Sequence, residues 1–317
     1  MHYSEWINDK RYDLERWIFD YNLYPYLNNV STDILEKRFY DLVNNIIFLG
    51  AENKNIISYD NDFASTLWWF KKLEQTAYVL KNKKVDVDIK FEEDLIYPNK
   101  KYILHANNIK NIKSIFRYSD IKHIISLIDK GIIRLTNVQS YSKMLGDNAR
   151  FDDENTKSSY VYGNSLKLYP LNSNTPLAVN GDMKKSRTAS KYYLSSFSTD
   201  LDIRLFDIFK CNAVICITNI NLFIEKIKKY SHNISHLYKE CLLTPAKYYD
   251  PYRSQPTADY NPTIAKDFSF AYQREMRLIL DPLETNNYHD DHIYLELGSL
   301  RNIASAYLYE AGELIAI

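Results

Sequence analysis

An α+β fold is what this chain predicts: a helical N-terminal domain over residues 1–97, then a mixed, largely antiparallel sheet domain with flanking helices over 98–317. Three observations predict it. Up to residue 82 the apolar residues recur at helical spacing. Beyond residue 98 the apolar runs are short, β-rich and punctuated by Gly, Pro and Asn, with few helices between them. The length, 317 residues, suggests two cores rather than one.

The helices come first. Tyr12, Leu14, Trp17, Ile18 and Tyr21 form one stripe, stopped near Pro25. Ser31-Thr-Asp33 caps a second helix carrying Leu35, Phe39, Leu42, Val43, Ile46 and Ile47, with Gly50 at its end. A third spans about Phe63 to Leu80, and its basic end Lys81-Asn-Lys-Lys84 suits a helix C-terminus. Trp68-Trp-Phe70 reads as core plus a domain or subunit contact, with a base-stacking platform as the lesser reading.

Val85, Val87, Ile89 and Phe91 alternate with polar residues as a half-buried strand, and the boundary lies between it and Pro98. Tyr102–His105 reads as a short strand and Ile109–Phe116 as helical. Asp120 caps a helix closed by Gly131, and Ile132–Thr136 is a strand turning Arg134 away from Ile133 and Leu135. Residues 140–190 are a long polar connection, the sort of segment that is usually functional or mobile. Lys191–Thr199 is a strand ending in hydroxyls, Asn212–Thr218 a buried strand, Leu222–Tyr230 a helix and Ile293–Leu297 a further strand. Residues 249–262, with three prolines, form an extended loop.

That loop leads into Phe268–Asp281, the stretch that carries the most chemistry. From Gln273 it alternates, with Met276, Leu278 and Leu280 on one face and Gln273, Glu275, Arg277 and Ile279 on the other. An apolar face fixes the register, so the polar residues form a row spaced about 7 Å apart. Such a row is either a solvated strand face with a Glu–Arg pair or a functional row.

Composition removes several function classes. Lys and Arg balance Asp and Glu at 40 each, so no global field draws the chain to nucleic acid or anionic lipid. Seven glycines include no G-x-G-x-x-G or Walker loop, and no G-x-S-x-G elbow occurs. Cys211, Cys216 and Cys241 lack paired spacing, which fits free thiols and argues against zinc. No leader or membrane-length apolar run of about 20 residues is visible, so the expected compartment is the cytoplasm. The 28 tyrosines accompany an excess of Asn, Ile and Lys, a bias of AT-rich bacterial coding sequence.

Arg134 on one strand, Ser195-Ser-Phe-Ser-Thr199 on a later one and Gln273-Arg-Glu275 on a last one follow the order Arg, Ser-rich, Gln-x-Glu. This layout, over roughly residues 100–300, resembles the ADP-ribosyltransferase superfamily. The chain also resembles a broad uncharacterised bacterial family with a Y-Q-x-E-x-R segment. That second likeness rests on Gly131–Asn137, Phe151–Glu154, Tyr193–Ser198 and Tyr272–Arg277.

The transferase resemblance implies NAD as substrate. Glu275, Gln273 and Arg277 would be catalytic. Glu275 would bond the nicotinamide-side ribose and stabilise the positive charge that grows as nicotinamide leaves; Gln273 would orient the acceptor. Arg134, His105, Ser196, Ser198 and Tyr193 would be the NAD-binding set. The function so implied is a bacterial effector of the toxin or phage-defence kind, acting on a macromolecular acceptor. The N-terminal helices, with exposed-looking Trp and Tyr, would engage a partner protein or a second copy.

Two other classes stay open. Asp152, Asp153 and Glu154 beside Lys157 could hold Mg²⁺ in a nuclease effector, although consecutive carboxylates more simply make a solvated acidic loop. A Tyr-rich surface could instead serve a non-enzymatic protein- or RNA-binding module. His232 and His236 read as surface residues.

Overall fold

The structure, a computed structural model, describes residues 13–49, 56–57, 65–87, 100–104, 112–141, 154–177, 179, 181–233, 238–253, 260–283 and 291–317. Its architecture is α+β, with helices first and a large, mostly antiparallel sheet after them.

Three helices open the described chain: α1 (Leu14–Leu23), α2 (Thr32–Leu49) and α3 (Thr66–Asn82). Asp13 caps α1, its carboxylate accepting from Arg16 N at 2.9 Å. The sheet region runs β1 (Ile115–Ser119), α4 (Ile121–Lys130), β2 (Ile132–Asn137), the short α5 (Val138–Tyr141), β3 (Thr156–Val161), β4 (Met183–Thr188) and β5 (Tyr193–Ser198). Then come α6 (Arg204–Phe209), β6 (Ala213–Ile217), α7 (Ile220–Asn233), β7 (Tyr238–Pro245), β8 (Lys247–Tyr249), β9 (Tyr252–Arg253) and β10 (Ala265–Asp267). The chain ends with β11 (Glu275–Pro282), β12 (His292–Glu296) and the hairpin β13 (Ala304–Glu310) and β14 (Glu313–Ala316).

The helix–Gly–strand punctuation at 120–137 holds. Gly131 takes the left-handed conformation, φ 68°, that closes α4. Asp120 occupies the N-cap position but makes no capping bond; Asn212 Oδ1 accepts from Ile121 N instead, at 3.0 Å. Other local expectations are corrected. Ile109–Phe116 is not helical where described: residues 112–114 are irregular and β1 starts at Ile115, because Ile115 and Phe116 are both buried in ladders with β6 and β5. Tyr102 ends a 3₁₀ turn and, among the described residues of the expected strand, Leu104 alone bridges, to Leu201. Val85–Val87 form no strand, and the rest of that expected strand, Ile89 and Phe91 included, lies outside the described residues. The polar connection 140–190 contributes β3 and β4, and the terminal tail is a hairpin. Trp17, Trp68 and Trp69 are buried rather than exposed, covered within an aromatic core that includes Phe268.

β5 organises the main sheet. Along one edge it pairs antiparallel with β11 from Tyr193 to Ser198, and β7 lies beyond β11. Its other edge is shared: Ser198 pairs with Phe116 of β1, while Tyr193 and Leu194 pair with Asn137 and Thr136 of β2. From there β1 leads on to β6, β13 and β14, and β2 leads to β12. Two arms therefore diverge from one strand, and among the described residues no strand is registered against Ser195–Phe197 on that edge.

One face of this forked sheet packs on α4 and α7 through Ile124, Leu127, Ile133, Phe223, Met276, Leu278 and Leu280. The other face meets α6 and the end of α2, where Phe48 joins Phe116, Tyr118, Phe206 and Tyr272. Helices α1–α3 share a single apolar cluster with Tyr248, Tyr252, Phe268 and Ala271.

Candidate functional site

Alternation along β11 places Met276, Leu278 and Leu280 in the core beneath α4 and α7, as the sequence pattern requires. Glu275 and Arg277 face the other way. Gln273 does not continue their row, contrary to the expected strand start. It ends a 3₁₀ turn, Phe268–Gln273, and Arg274 then adopts φ 41°, a left-handed bend before β11 begins at Glu275. The bend is fastened by Arg274 Nε to Asp200 at 3.1 Å and by Thr199 N donating to Arg274 O at 3.0 Å. Glu275 N is thereby turned to the Tyr248 hydroxyl, which accepts from it at 2.9 Å.

The solvated-face reading of this row is also corrected. Glu275 is 3% exposed and Arg277 fully buried. Burying such charges is costly unless each finds a partner, and here each does. Ser196 Oγ donates to Glu275 Oε1 at 2.6 Å, Arg277 Nε lies 3.2 Å from the same oxygen, and Lys266 Nζ grips Oε2. Glu154, expected in a solvated acidic loop, is buried against Arg277 Nη2 at 2.9 Å, Lys157 Nζ at 3.4 Å and Lys266 Nζ at 3.7 Å. Three cations thus surround two carboxylates.

The ionisation of both acids follows from that arrangement. Burial pushes the Glu154 carboxyl up, but Arg277, Lys157 and Lys266 outweigh it and hold the group down at about 2. Glu275 shows the same contest. Burial opposes its charge, Arg277 and Lys266 restore it, and the net shift is downward despite the neighbouring Glu154. Both groups are carboxylates at neutral pH.

A cavity of about 160 Å³ opens in the fork between the two arms. Glu275, Gln273, Glu154, Lys266, Ser196, Ser198 and Arg134 all line it, together with Arg117 and a wall that includes Phe116, Phe197 and Phe209. So the structure brings together Arg134, Ser196, Ser198, Gln273 and Glu275, which lie on three separate segments of the sequence. Arg134 is exposed, on the face of β2 opposite Ile133 and Leu135, as the alternation required. Ser196 contacts Glu275 directly, whereas Ser198 Oγ bonds the Gln273 carbonyl at 2.8 Å and so supports the bend. Arg277 lies behind Glu275, reaching Thr263 O at 2.9 Å.

Tyr193 is not brought to the cavity. It is buried in the core on the far face of β5. His105, Asp152 and Asp153 lie outside the described residues. Among the described residues no group of three His, Cys, Asp or Glu side chains is placed to hold a metal ion, and no helix is long and apolar enough to cross a membrane.

Three contributors went unseen in the sequence. Arg117 Nη1 bonds Ser195 Oγ and reaches the Ser196 carbonyl at 3.2 Å, capping the unladdered edge of β5. Its signal was present, an Arg between apolar neighbours in Ile115-Phe-Arg-Tyr-Ser119, the same pattern that singled out Arg134. Lys266 and Tyr248 had no such signal, because each sits in a three-residue strand whose importance is purely spatial. No family model, no curated protein and no solved structure matches the chain.

Proposed function

We propose that this chain is an NAD-dependent ADP-ribosyltransferase-like bacterial effector, of the toxin or phage-defence kind, working in the cytoplasm on a macromolecular acceptor. The observation that carries the reading is Glu275: an ionised carboxylate, held by Ser196 at 2.6 Å, facing the same cavity as Arg134. A carboxylate fixed before the reaction costs no reorganisation when positive charge develops on the ribose, which is where such a group accelerates departure of nicotinamide.

The volume supports a division of labour. Sites that engulf a whole drug-sized ligand run to roughly 300–1,000 Å³, so a cavity of about 160 Å³ holds one ring and part of its sugar. The rest of the dinucleotide would lie across the mouth, where Arg134 and Arg117 offer guanidinium groups to its phosphates.

The test is nicotinamide release from labelled NAD in a bacterial lysate, with label scored on macromolecules, comparing wild type with Glu275→Gln. Transfer should fall by about 10²–10³-fold in the variant, the usual cost of removing a preorganised electrostatic group, with circular dichroism unchanged. Absence of turnover by the wild type in several lysates would sink the reading and leave a binding module as the better account.

A further inference from the structure

Resting on the NAD reading, we infer that the adenine half of the dinucleotide lies outside the cavity, on the arm formed by β2 and β12. Its phosphates meet Arg134, its base stacks on Tyr294 and its exocyclic amine donates to Glu296. The argument starts from space. A cavity of about 160 Å³ takes one ring and part of a sugar, so the second ring must rest beyond the mouth. Two ways out exist, past Arg117 on β1 or past Arg134 on β2.

The two arginines differ in what stands beside them. Arg117 is already drawn to Ser195 Oγ and the Ser196 carbonyl, and its cross-strand neighbour is Ile215 of β6, which is wholly buried. A base leaving that way meets no open ring opposite the guanidinium. Arg134 is exposed and makes no hydrogen bond or ion pair with any described residue. Its cross-strand neighbour is Tyr294 of β12, and residues so paired carry their Cβ atoms about 5 Å apart on one face of the sheet. Tyr294 is 53% exposed, and among the described residues its ring and hydroxyl have no partner.

Alternation along β12 completes the surface. Leu295 enters the core and Ile293 packs against it, so Tyr294 and Glu296 share the opposite face. Glu296 is exposed and, among the described residues, makes no hydrogen bond or ion pair. It lies two residues past Tyr294, about 7 Å along the strand. An uncommitted guanidinium, an open ring and an uncommitted carboxylate therefore follow one another outward from the cavity. The first takes phosphate oxygens, the second stacks a base, and the third can only accept hydrogen bonds. Adenine supplies a donor to that carboxylate through its exocyclic amine. Hypoxanthine has a carbonyl at the same position, whose oxygen would face the carboxylate with no proton between them. The arm is thus built for an adenine nucleotide.

The experiment measures binding of ADP and of inosine diphosphate to the full chain by titration calorimetry, which needs no turnover. ADP should bind the wild type at least tenfold more tightly than inosine diphosphate. Tyr294→Ala should weaken ADP by about tenfold, the usual scale for losing one stacked base. Glu296→Gln, whose amide can turn to suit either base, should bring the two affinities within a fewfold of each other. All three side chains are exposed, and circular dichroism should confirm that each variant is folded. With labelled NAD, Tyr294→Ala should raise KM about tenfold and leave kcat unchanged. Failure of the wild type to bind ADP, equal affinity for the two nucleotides, or ADP binding indifferent to Tyr294→Ala overturns the inference, while nicotinamide release would keep the NAD reading standing. ADP binding with the expected variant pattern but no nicotinamide release would sink the NAD reading and leave an adenine-nucleotide site on this arm.

Discussion

Glu154 shows how far a residue's role departs from its local sequence. Beside Asp152 and Asp153 it looks like one acid of a solvated loop; folded, it is 4% exposed and neutralises Arg277 across a gap of 123 residues. No pattern within a few residues encodes that distance. Its ionisation makes a prediction. The folded carboxyl titrates at about 2 against an ordinary 4.5. A depressed acid contributes stability that is complete above the unfolded value and is lost as pH falls toward the folded one. That contribution is on the order of 3 kcal/mol. Urea midpoints should therefore hold steady from pH 7 to about 5 and drop steeply between about 4.5 and 2. Glu154→Gln should be destabilised by roughly 3–5 kcal/mol at pH 7, since it leaves the buried cations Arg277, Lys157 and Lys266 facing the single carboxylate of Glu275. It should also lose part of the acid-side slope. An unchanged slope in the variant would mean that other carboxylates dominate acid unfolding.

Elements were legible wherever one apolar face recurred and a punctuating residue ended it. α4, Gly131 and β2 were readable for that reason, as were the alternations of β5 and β11. Elements failed to show where burial falls on both faces or where the partner is remote. β1 carries Ile115, Phe116 and Tyr118 inward on different faces, so its period-2 signal vanishes into an apolar run. The bend at Arg274 was invisible because no glycine marks it; Asp200 and Thr199, far back in the chain, hold an arginine where glycine would be expected. Gly131 allows a test of how tightly such a joint is built. It is left-handed, and a Cβ there would strike the carbonyl of Gly298, two residues beyond β12. Gly131→Ala should cost roughly 1–3 kcal/mol from backbone strain alone, and more if the contact cannot relax. Thermal melts should show it as a clear loss of Tm. A neutral result would mean that the α4–β2 turn shifts freely, and with it the anchoring of Arg134.

At the scale of the whole molecule, the N-terminal helices and the sheet are joined by more than apolar contact. Arg38 of α2 makes a bidentate pair with Asp250 at 2.7 and 2.8 Å, both residues almost completely buried, with the guanidinium over Phe268. Asn45 of α2 accepts from Tyr272 N at 2.7 Å and donates to Ser269 O at 3.0 Å, so it holds the turn that delivers Gln273 and Glu275. Arg204 of α6 reaches back to the carbonyls of Ile47 and Phe48. The helices therefore buttress the bend at Arg274, and loosening them should loosen the cavity residues that follow it. Asp250→Ala should destabilise the protein by roughly 3–5 kcal/mol by stranding a buried guanidinium, whereas Arg38→Met with Asp250→Leu should recover most of the loss. The same connections predict cooperative unfolding. Trp17, Trp68 and Trp69 lie in α1 and α3 and no tryptophan follows residue 69, so their fluorescence reports the helices, while labelling of the Cys216 and Cys241 thiols in β6 and β7 across a urea series reports the sheet. The two urea transitions should coincide in the wild type, as they do for a single cooperative unit. A tryptophan transition that precedes the sheet's would show that the helices detach first, and nicotinamide release measured across the same urea series would then reveal whether Glu275 keeps its geometry without them.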